Sequence, residues 1–284
     1  MFIISLSGGI GNQLFQYTFG KYLEKKYNQI VCFDRSSIYT NSERRFELNI
    51  LDEAMSFYTG TLFTKYSGIR RRILRLLFSL NRNNIIITEC NISQIEKVDI
   101  HRKKVLIIGY WQDMSLVLSV FSKISFSFTP LLPIPHSLLS FKENIQSTNS
   151  VFIHVRRGDY FSPLYVHRYG ICTVKYYLDA IQYIRDHISN PSFFVFSDDV
   201  DWVKDNLGSD CSMQYVENSI NINSYYYIYL MSLCKHSIIS NSSFSWWGAF
   251  INNSSNKIVV TPDKWENGTK KHLALENWIK LPTQ

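Results

Sequence analysis

Val151–Tyr160 reads VFIHVRRGDY. Three apolar residues deliver a histidine, two adjacent arginines and an aspartate to the end of what the pattern predicts as a buried strand. Guanidinium grips phosphate through a planar fork of donors that lysine does not offer. A strand end that projects such charge therefore suits an anionic ligand. The plain alternative is a solvated turn with ordinary surface arginines. Alternation along a strand puts His154 and Arg156 on one face and Val155 on the other. Arg157 is then turned toward the protein, with Asp159 as its candidate partner.

Working outward, the same texture recurs along the chain. Candidate strands are Phe2–Leu6, Ile30–Phe33, Val105–Ile108, Val151–Val155, Phe193–Phe196, Ile238–Ile239 and Lys257–Val260. Between them lie amphipathic stretches such as Leu14–Lys26, Lys175–Arg185 and Ser224–Leu233. Short continuous apolar strands separated by helices indicate an α/β fold with parallel sheets. Pro130, Pro133 and Pro135 fall within six residues of one another, in a chain of seven prolines. Helix and central strand are both disfavoured there, so two Rossmann-like halves are expected, 1–130 and 136–284. Ligand would then bind outside the carboxyl ends of the strands, in a cleft that the two sheets face.

The chain has 284 residues, 45% of them hydrophobic and 15% aromatic, which excludes a disordered chain. A net charge of +7 points to acidic partners: phosphorylated small molecules, nucleic acid or an anionic membrane face. Nucleic acid ranks last, because the arginines stand singly or on one helix, without a familiar reader motif. The five cysteines are scattered and form no C-x-x-C pair, which argues against a disulfide framework and a structural zinc site. One N-x-S/T sequon, at Asn241, lies inside a motif where a glycan would be disabling, so a reducing, cytosolic setting is expected. No run approaches the roughly 18 apolar residues of a membrane span. Ile69, Ile73, Leu76, Leu77 and Leu80 form one helical face, with Arg70, Arg71, Arg72, Arg75 and Arg82 around much of the rest. Such a helix either rests on an anionic membrane or packs on its own domain with a solvated basic face; the second is favoured slightly.

Three further segments carry chemistry. Ser7–Tyr17, SGGIGNQLFQY, places Gly8, Gly9 and Gly11 at a sharp strand-to-helix turn. Helix N-termini attract anions, although this is neither the full dinucleotide fingerprint nor a P-loop. Asn12 and Gln13 add uncharged donors, with helix capping as the ordinary alternative. Phe193–Trp202, FFVFSDDVDW, ends a strand in Asp198 and Asp199. A carboxylate here either accepts N–H donors from a guanine edge or caps a helix; Asp199 and Asp201 also spell a D-x-D, a metal pattern held as a minority reading. Ser240–Phe250, SNSSFSWWGAF, supplies Ser242, Ser243 and Ser245 where a helix should start. Hydroxyls with helix-terminal amides make a phosphate seat, while Trp246 and Trp247 read as packing residues.

Taken together with GYWQD at Gly109–Asp113, these elements resemble the α-1,2-fucosyltransferases, particularly the short bacterial enzymes. The resemblance covers nearly the full chain and extends remotely to α-1,6- and protein O-fucosyltransferases through H-x-R-R-x-D. It implies a GT-B-like fold, GDP-β-L-fucose as co-substrate, inversion at the anomeric carbon, and neither metal nor cofactor. It further implies Arg156 at the β-phosphate, His154 and one of Asp198 and Asp199 at guanine, and Ser242, Ser243 and Phe244 at the phosphates. Asn12 would lie near the β-phosphate or fucose, with Gly11 and Gln13 beside it. Asp159 is the expected general base, and His167 a second titratable candidate. The N-terminal half would take the acceptor and the C-terminal half GDP-fucose. The acceptor would be a galactose-terminated glycan, with a lipid-linked O-antigen unit of lipopolysaccharide as one form. A cytoplasmic protein is expected, without the N-terminal anchor of animal members and with contact to the inner membrane left open. A fucosyltransferase of another linkage, or a binding module without catalysis, are the alternatives.

Overall fold

A computed structural model describes residues 1–39, 44–51, 55–59, 69–89, 95, 103–121, 128–158, 172–208, 212–267 and 273–283. The chain divides into two compact units, Met1–Ser127 and Phe128–Gln284. Each is built around a parallel sheet.

In the first unit the described elements run β1 (Phe2–Ser5), α1 (Ile10–Tyr27), β2 (Val31–Asp34), α2 (Ser36–Tyr39), α3 (Ile69–Leu80), β3 (Asn84–Thr88), β4 (Lys104–Ile108) and α4 (Met114–Phe121). The strand order is β2-β1-β4-β3, and every pairing is parallel. Phe2, Ile3 and Ile4 of β1 and Val105, Leu106 and Ile107 of β4 are wholly buried. Burial on both faces is why these strands read as unbroken apolar runs.

The second unit contains α5 (Leu139–Ser147), β5 (Asn149–Val155), α6 (Val174–His187), β6 (Pro191–Ser197), α7 (Val200–Leu207), β7 (Met213–Glu217), α8 (Tyr225–Leu233), β8 (His236–Ile238), α9 (Ser243–Ile251), β9 (Val259–Pro262) and β10 (Ile279–Leu281). Its strands are ordered β10-β9-β8-β5-β6-β7, all parallel. Counted from β5 as the first, that is 6-5-4-1-2-3, the Rossmann order. The chain direction across the sheet reverses between β5 and β8, and a ligand crevice is expected at the carboxyl ends of those two strands. Helix α6 covers one face: Tyr176, Tyr177, Ala180, Ile181 and Ile184 are buried against Val151, Ile153 and Val155. At its start Thr173 accepts the amide of Tyr176. Helix α9 sinks Trp246 and Trp247 completely into the unit, and the Trp246 indole donates to the Leu273 carbonyl at 2.6 Å. The proline-rich segment is fastened to α8, since Tyr225 donates to the Phe128 carbonyl and Tyr226 to that of Pro133.

Strands β3, β7 and β10 were not expected from sequence. All three are sheet edges with partly exposed side chains; β7 and β10 carry no continuous apolar run to mark them, whereas β3 does in Ile85–Ile87. Helix α3 forms where its periodicity predicts and packs on its own unit, as favoured, with Arg72 and Arg82 exposed. Phe78 is the residue buried against Ile3 and Leu106, while Ile73, Leu76, Leu77 and Leu80 are exposed. Among the described side chains of α3, the packing contact comes from the side that carries Phe78 and not from Ile73, Leu76, Leu77 or Leu80. Among the described residues no helix is long and apolar enough to cross a membrane.

Candidate functional site

The reversal point of the second sheet gathers two of the sequence motifs. Ile153 of β5 is in register with Ile238 of β8, so the residues that follow each strand emerge side by side. His154 Nδ1 lies 2.8 Å from the Ser240 hydroxyl, across 86 positions of chain. The ring is buried and packs beside Phe244, 5.4 Å between centroids. Burial, reinforced by the charge of Arg156, pushes the His154 pKa down to about 3. It is therefore a neutral imidazole across the physiological range.

Two residues on, Arg156 leaves the strand. Its Nη1 pairs with Asp198 Oδ2 at 2.7 Å, in a half-buried position. Asp198 sits just past β6, which pairs with β5 along seven residues, so the sheet register itself delivers the carboxylate. The other oxygen of Asp198 accepts the Arg157 amide at 2.9 Å. The backbone of Gly158 passes so close that a Cβ there would stand 2.6 Å from Asp198 Oδ2. A glycine is thus what admits the carboxylate to this turn.

The Arg157 side chain points elsewhere. Its Nε donates to Asp199 Oδ2 at 3.0 Å, and its guanidinium lies 3.8 Å above the Trp202 ring. The other Asp199 oxygen caps α7 by accepting the Trp202 amide. Arg157 is therefore held by Asp199 and Trp202 (Asp159, its partner expected from sequence, falls outside the described residues, as does His167). Asp199 thus makes two protein bonds, to Arg157 and to the α7 amide, as Asp198 does to Arg156 and to the Arg157 amide.

The third wall is the start of α9. Ser242 adopts an extended cap conformation, and its hydroxyl accepts the Phe244 amide at 3.3 Å. Ser243 and Phe244 remain partly exposed, while Ser245 is buried and donates to the Ser242 carbonyl. Asn241 is buried and ties the loop to the Trp265 carbonyl. The positive end of the α9 dipole thus opens at the same sheet edge as Arg156 and His154. A guanidinium and a helix N-terminus, with a buried neutral imidazole beside them, are groups that can receive an anion, as helix starts do.

The first unit presents a second reversal point, between β1 and β4, and the glycine-rich loop occupies it. Gly8 has φ +76, and a Cβ there would meet Asn12 Nδ2 at 2.6 Å. Asn12 Oδ1 accepts from Gln112 of the GYWQD segment at 2.9 Å. Gly11 and Gln13 are buried in the first turn of α1. Gln13 donates to the carbonyls of Gly8 and Arg45 and accepts the Glu47 amide. This corrects the expectation that Gln13 offers donors to a ligand: both its amide hydrogens are used by the backbone. Gln16, equally buried, bonds Ser7 and the Gly109 carbonyl. Glu89 receives the amides of Tyr110 and Trp111 on its two oxygens. Ser240, Gly158 and Gln16 lie inside the quoted motifs, but the motifs by themselves give none of them a role, and Glu89 lies outside every motif.

Comparison with known proteins bears on this geometry. A sequence model described as "Glycosyl transferase family 11" matches residues 108–282, from the end of β4 to just past β10 in the second unit. The O-antigen biosynthesis glycosyltransferase WbnK of Escherichia coli is 31% identical over 97% of this chain and 99% of its own. An α-1,2-colitosyltransferase of Escherichia coli is 32% identical, covering 98% of each. Among solved structures, the fucosyltransferase NodZ from Bradyrhizobium has a TM-score of 0.52 at 14% identity, over 87% of this chain and 90% of that one. The same NodZ α-1,6-fucosyltransferase soaked with GDP-fucose gives 0.51. These structural likenesses speak to fold, which is α/β and GT-B-like, with parallel sheets. With the family model spanning more than half of it and a full-length relative above 30% identity, this chain belongs to glycosyl transferase family 11 and is a glycosyltransferase.

Proposed function

We propose that the enzyme is a galactoside α-1,2-fucosyltransferase, moving L-fucose from GDP-β-L-fucose to the 2-hydroxyl of a terminal galactose with inversion and without a metal. The observation that carries the reading is the convergence of Arg156, His154 and the α9 N-terminus at the reversal point of the second sheet. The likeness to a NodZ α-1,6-fucosyltransferase structure soaked with GDP-fucose supports the donor class. The α-1,2 linkage in a full-length relative's name supports the regiochemistry.

In this reading the second unit binds the nucleotide and the first serves the acceptor. Arg156 holds the β-phosphate, aimed by Asp198; Ser242, Ser243 and Phe244 line the phosphates. Guanine falls to His154 and one of Asp198 and Asp199, carboxylates with acceptor capacity beyond their two protein bonds each. As the acceptor oxygen bonds to fucose C1, the C1–phosphate bond breaks and its electron pair leaves with GDP. Arg156 is already oriented when that charge develops, which is when a preorganised donor contributes most. The hydroxyl proton goes to a general base, for which Asp159 is our candidate. Asn12 is assigned to sugar recognition. The O-antigen role of one relative supports a lipid-linked glycan as acceptor and the cytoplasmic face of the inner membrane as the place of action.

A second donor has specific support. The name of one relative, an α-1,2-colitosyltransferase, supports nucleotide-activated colitose, a sugar that is fucose without its 3-hydroxyl and would be offered here as GDP-colitose, as an alternative donor. One experiment separates these readings: purified enzyme with GDP-fucose or GDP-colitose and a panel of β-galactosides, product mass and linkage being read with and without EDTA. The proposal expects fucose on galactose O2 and unchanged turnover in EDTA. Transfer of colitose alone, another linkage, or loss of activity in EDTA would each overturn the corresponding part.

A further inference from the structure

Helix α3 carries a surface that the transfer chemistry does not use. Ile73, Leu76, Leu77 and Leu80 follow one another at i, i+3, i+4 and i+7, the spacing of a single helical stripe. They are 49%, 59%, 54% and 68% exposed. A stripe of this kind normally faces a core. Here the helix is anchored instead by Phe78, 1% exposed and packed on Ile3 and Leu106. Phe78 lies two residues from both Leu76 and Leu80, about 200° around the helix axis from each. Anchoring by Phe78 therefore turns the aliphatic stripe outward. Solvent exposure of four large aliphatics on one stripe is the mark of a binding face.

The charges around the stripe identify its occupant. Residues 69–82 contain five arginines and no aspartate or glutamate. Arg72 lies on the helix and Arg82 just beyond its end, and both are exposed. A second copy of this face would bring arginine against arginine. A surface with acyl chains beneath anionic headgroups satisfies both parts, taking the leucines into its boundary layer and the guanidiniums at the phosphates. We propose that α3 is a peripheral membrane anchor that lies flat on an anionic phospholipid surface. The inference stands on α3 alone and is independent of which sugar the enzyme transfers.

Co-sedimentation of the full chain with vesicles tests it. Phosphatidylcholine vesicles containing about one quarter phosphatidylglycerol should bind the protein, pure phosphatidylcholine should bind it far less, and salt should weaken binding. The Arg72→Glu/Arg82→Glu double variant should lower partitioning at least about tenfold, since each basic residue near such a surface contributes about fivefold. The Leu76→Ser/Leu80→Ser variant should lower it by about tenfold or more through lost apolar insertion. Because these side chains are exposed, thermal unfolding should be unchanged and serves as the folding control. Absence of binding to the anionic vesicles, or binding that survives both variants, would overturn the proposal. So would a dimer, seen by light scattering, that the leucine variant dissociates while the protein ignores vesicles.

Discussion

The two units place their motif loops at equivalent points of their sheets, yet use them in opposite ways. In the first unit the glycine-rich loop sits between β1 and β4, and the polar side chains beneath it are turned inward: Gln13 and Gln16 bond backbone, and Glu89 closes the facing turn. In the second unit the loop after β5 is charged, and Arg156 is aimed by a carboxylate from the neighbouring strand instead of being buried. A glycine-rich strand-to-helix turn is therefore not by itself a phosphate site. A guanidinium stands near this turn too, since a Cβ on Gly9 would lie 3.5 Å from Arg44 Nη1; the second sheet differs in that its arginine is aimed by a carboxylate delivered by the neighbouring strand.

The largest effect should come from removing that charge. Arg156→Ala should lower kcat/KM by a hundredfold or more, about 3 kcal/mol on the scale of a lost transition-state donor, with little change in thermal stability. Arg156→Lys should recover only part of it, because an ammonium does not replace the fork. Steady-state kinetics on folded protein decide this, and near-normal turnover in the alanine variant would break the contrast between the units.

The first unit should answer in stability instead. Gln13→Ala strips partners from two carbonyls and one amide in a buried setting, and should cost about 2–3 kcal/mol in urea unfolding. An effect on turnover alone would mean that Gln13 faces a ligand after all.

A third expectation concerns pH. His154 titrates near 3 when folded, against an ordinary 6.5. Its neutral form is thus favoured by folding, and its contribution is complete above about pH 6.5 and lost as pH falls from there toward 3. The slope should approach about 1.4 kcal/mol per pH unit within that window. His236, also lowered by burial, acts in the same direction. Urea midpoints between pH 7 and pH 4.5 should fall less steeply in His154→Gln, leaving the part due to His236. An unchanged slope would contradict a buried neutral imidazole. The smallest effect belongs to Ser240→Ala, which removes one hydrogen-bond partner of that ring and should cost about 1 kcal/mol.

Much of this was legible in the chain. The apolar runs at Val151–Val155 and Phe193–Phe196 announce central strands because both their faces are covered, and a parallel sheet follows from the helices between them. The edge strands Met213–Glu217 and Ile279–Leu281 give no such run. Strand order is set by pairing between distant segments, so the reversal point between β5 and β8 could not be read locally. HVRRGD and SNSSF stood out as motifs, but that His154 meets Ser240 is a consequence of register. Gln13 shows the converse: its partners are backbone atoms of residues 8, 45 and 47, and nothing in the side chain's identity separates that use from ligand binding. The periodicity of α3 gave the stripe correctly but not the side on which the sheet would hold the helix.

The contrast between the two loops is tested most directly by a crystal structure of the protein with GDP. The account predicts β-phosphate oxygens within ~3 Å of the Arg156 guanidinium, beside the first turn of α9 at Ser242–Phe244. Phosphates seated on the Gly8–Gly11 turn, with Arg156 still bound to Asp198 and remote from the nucleotide, would contradict it.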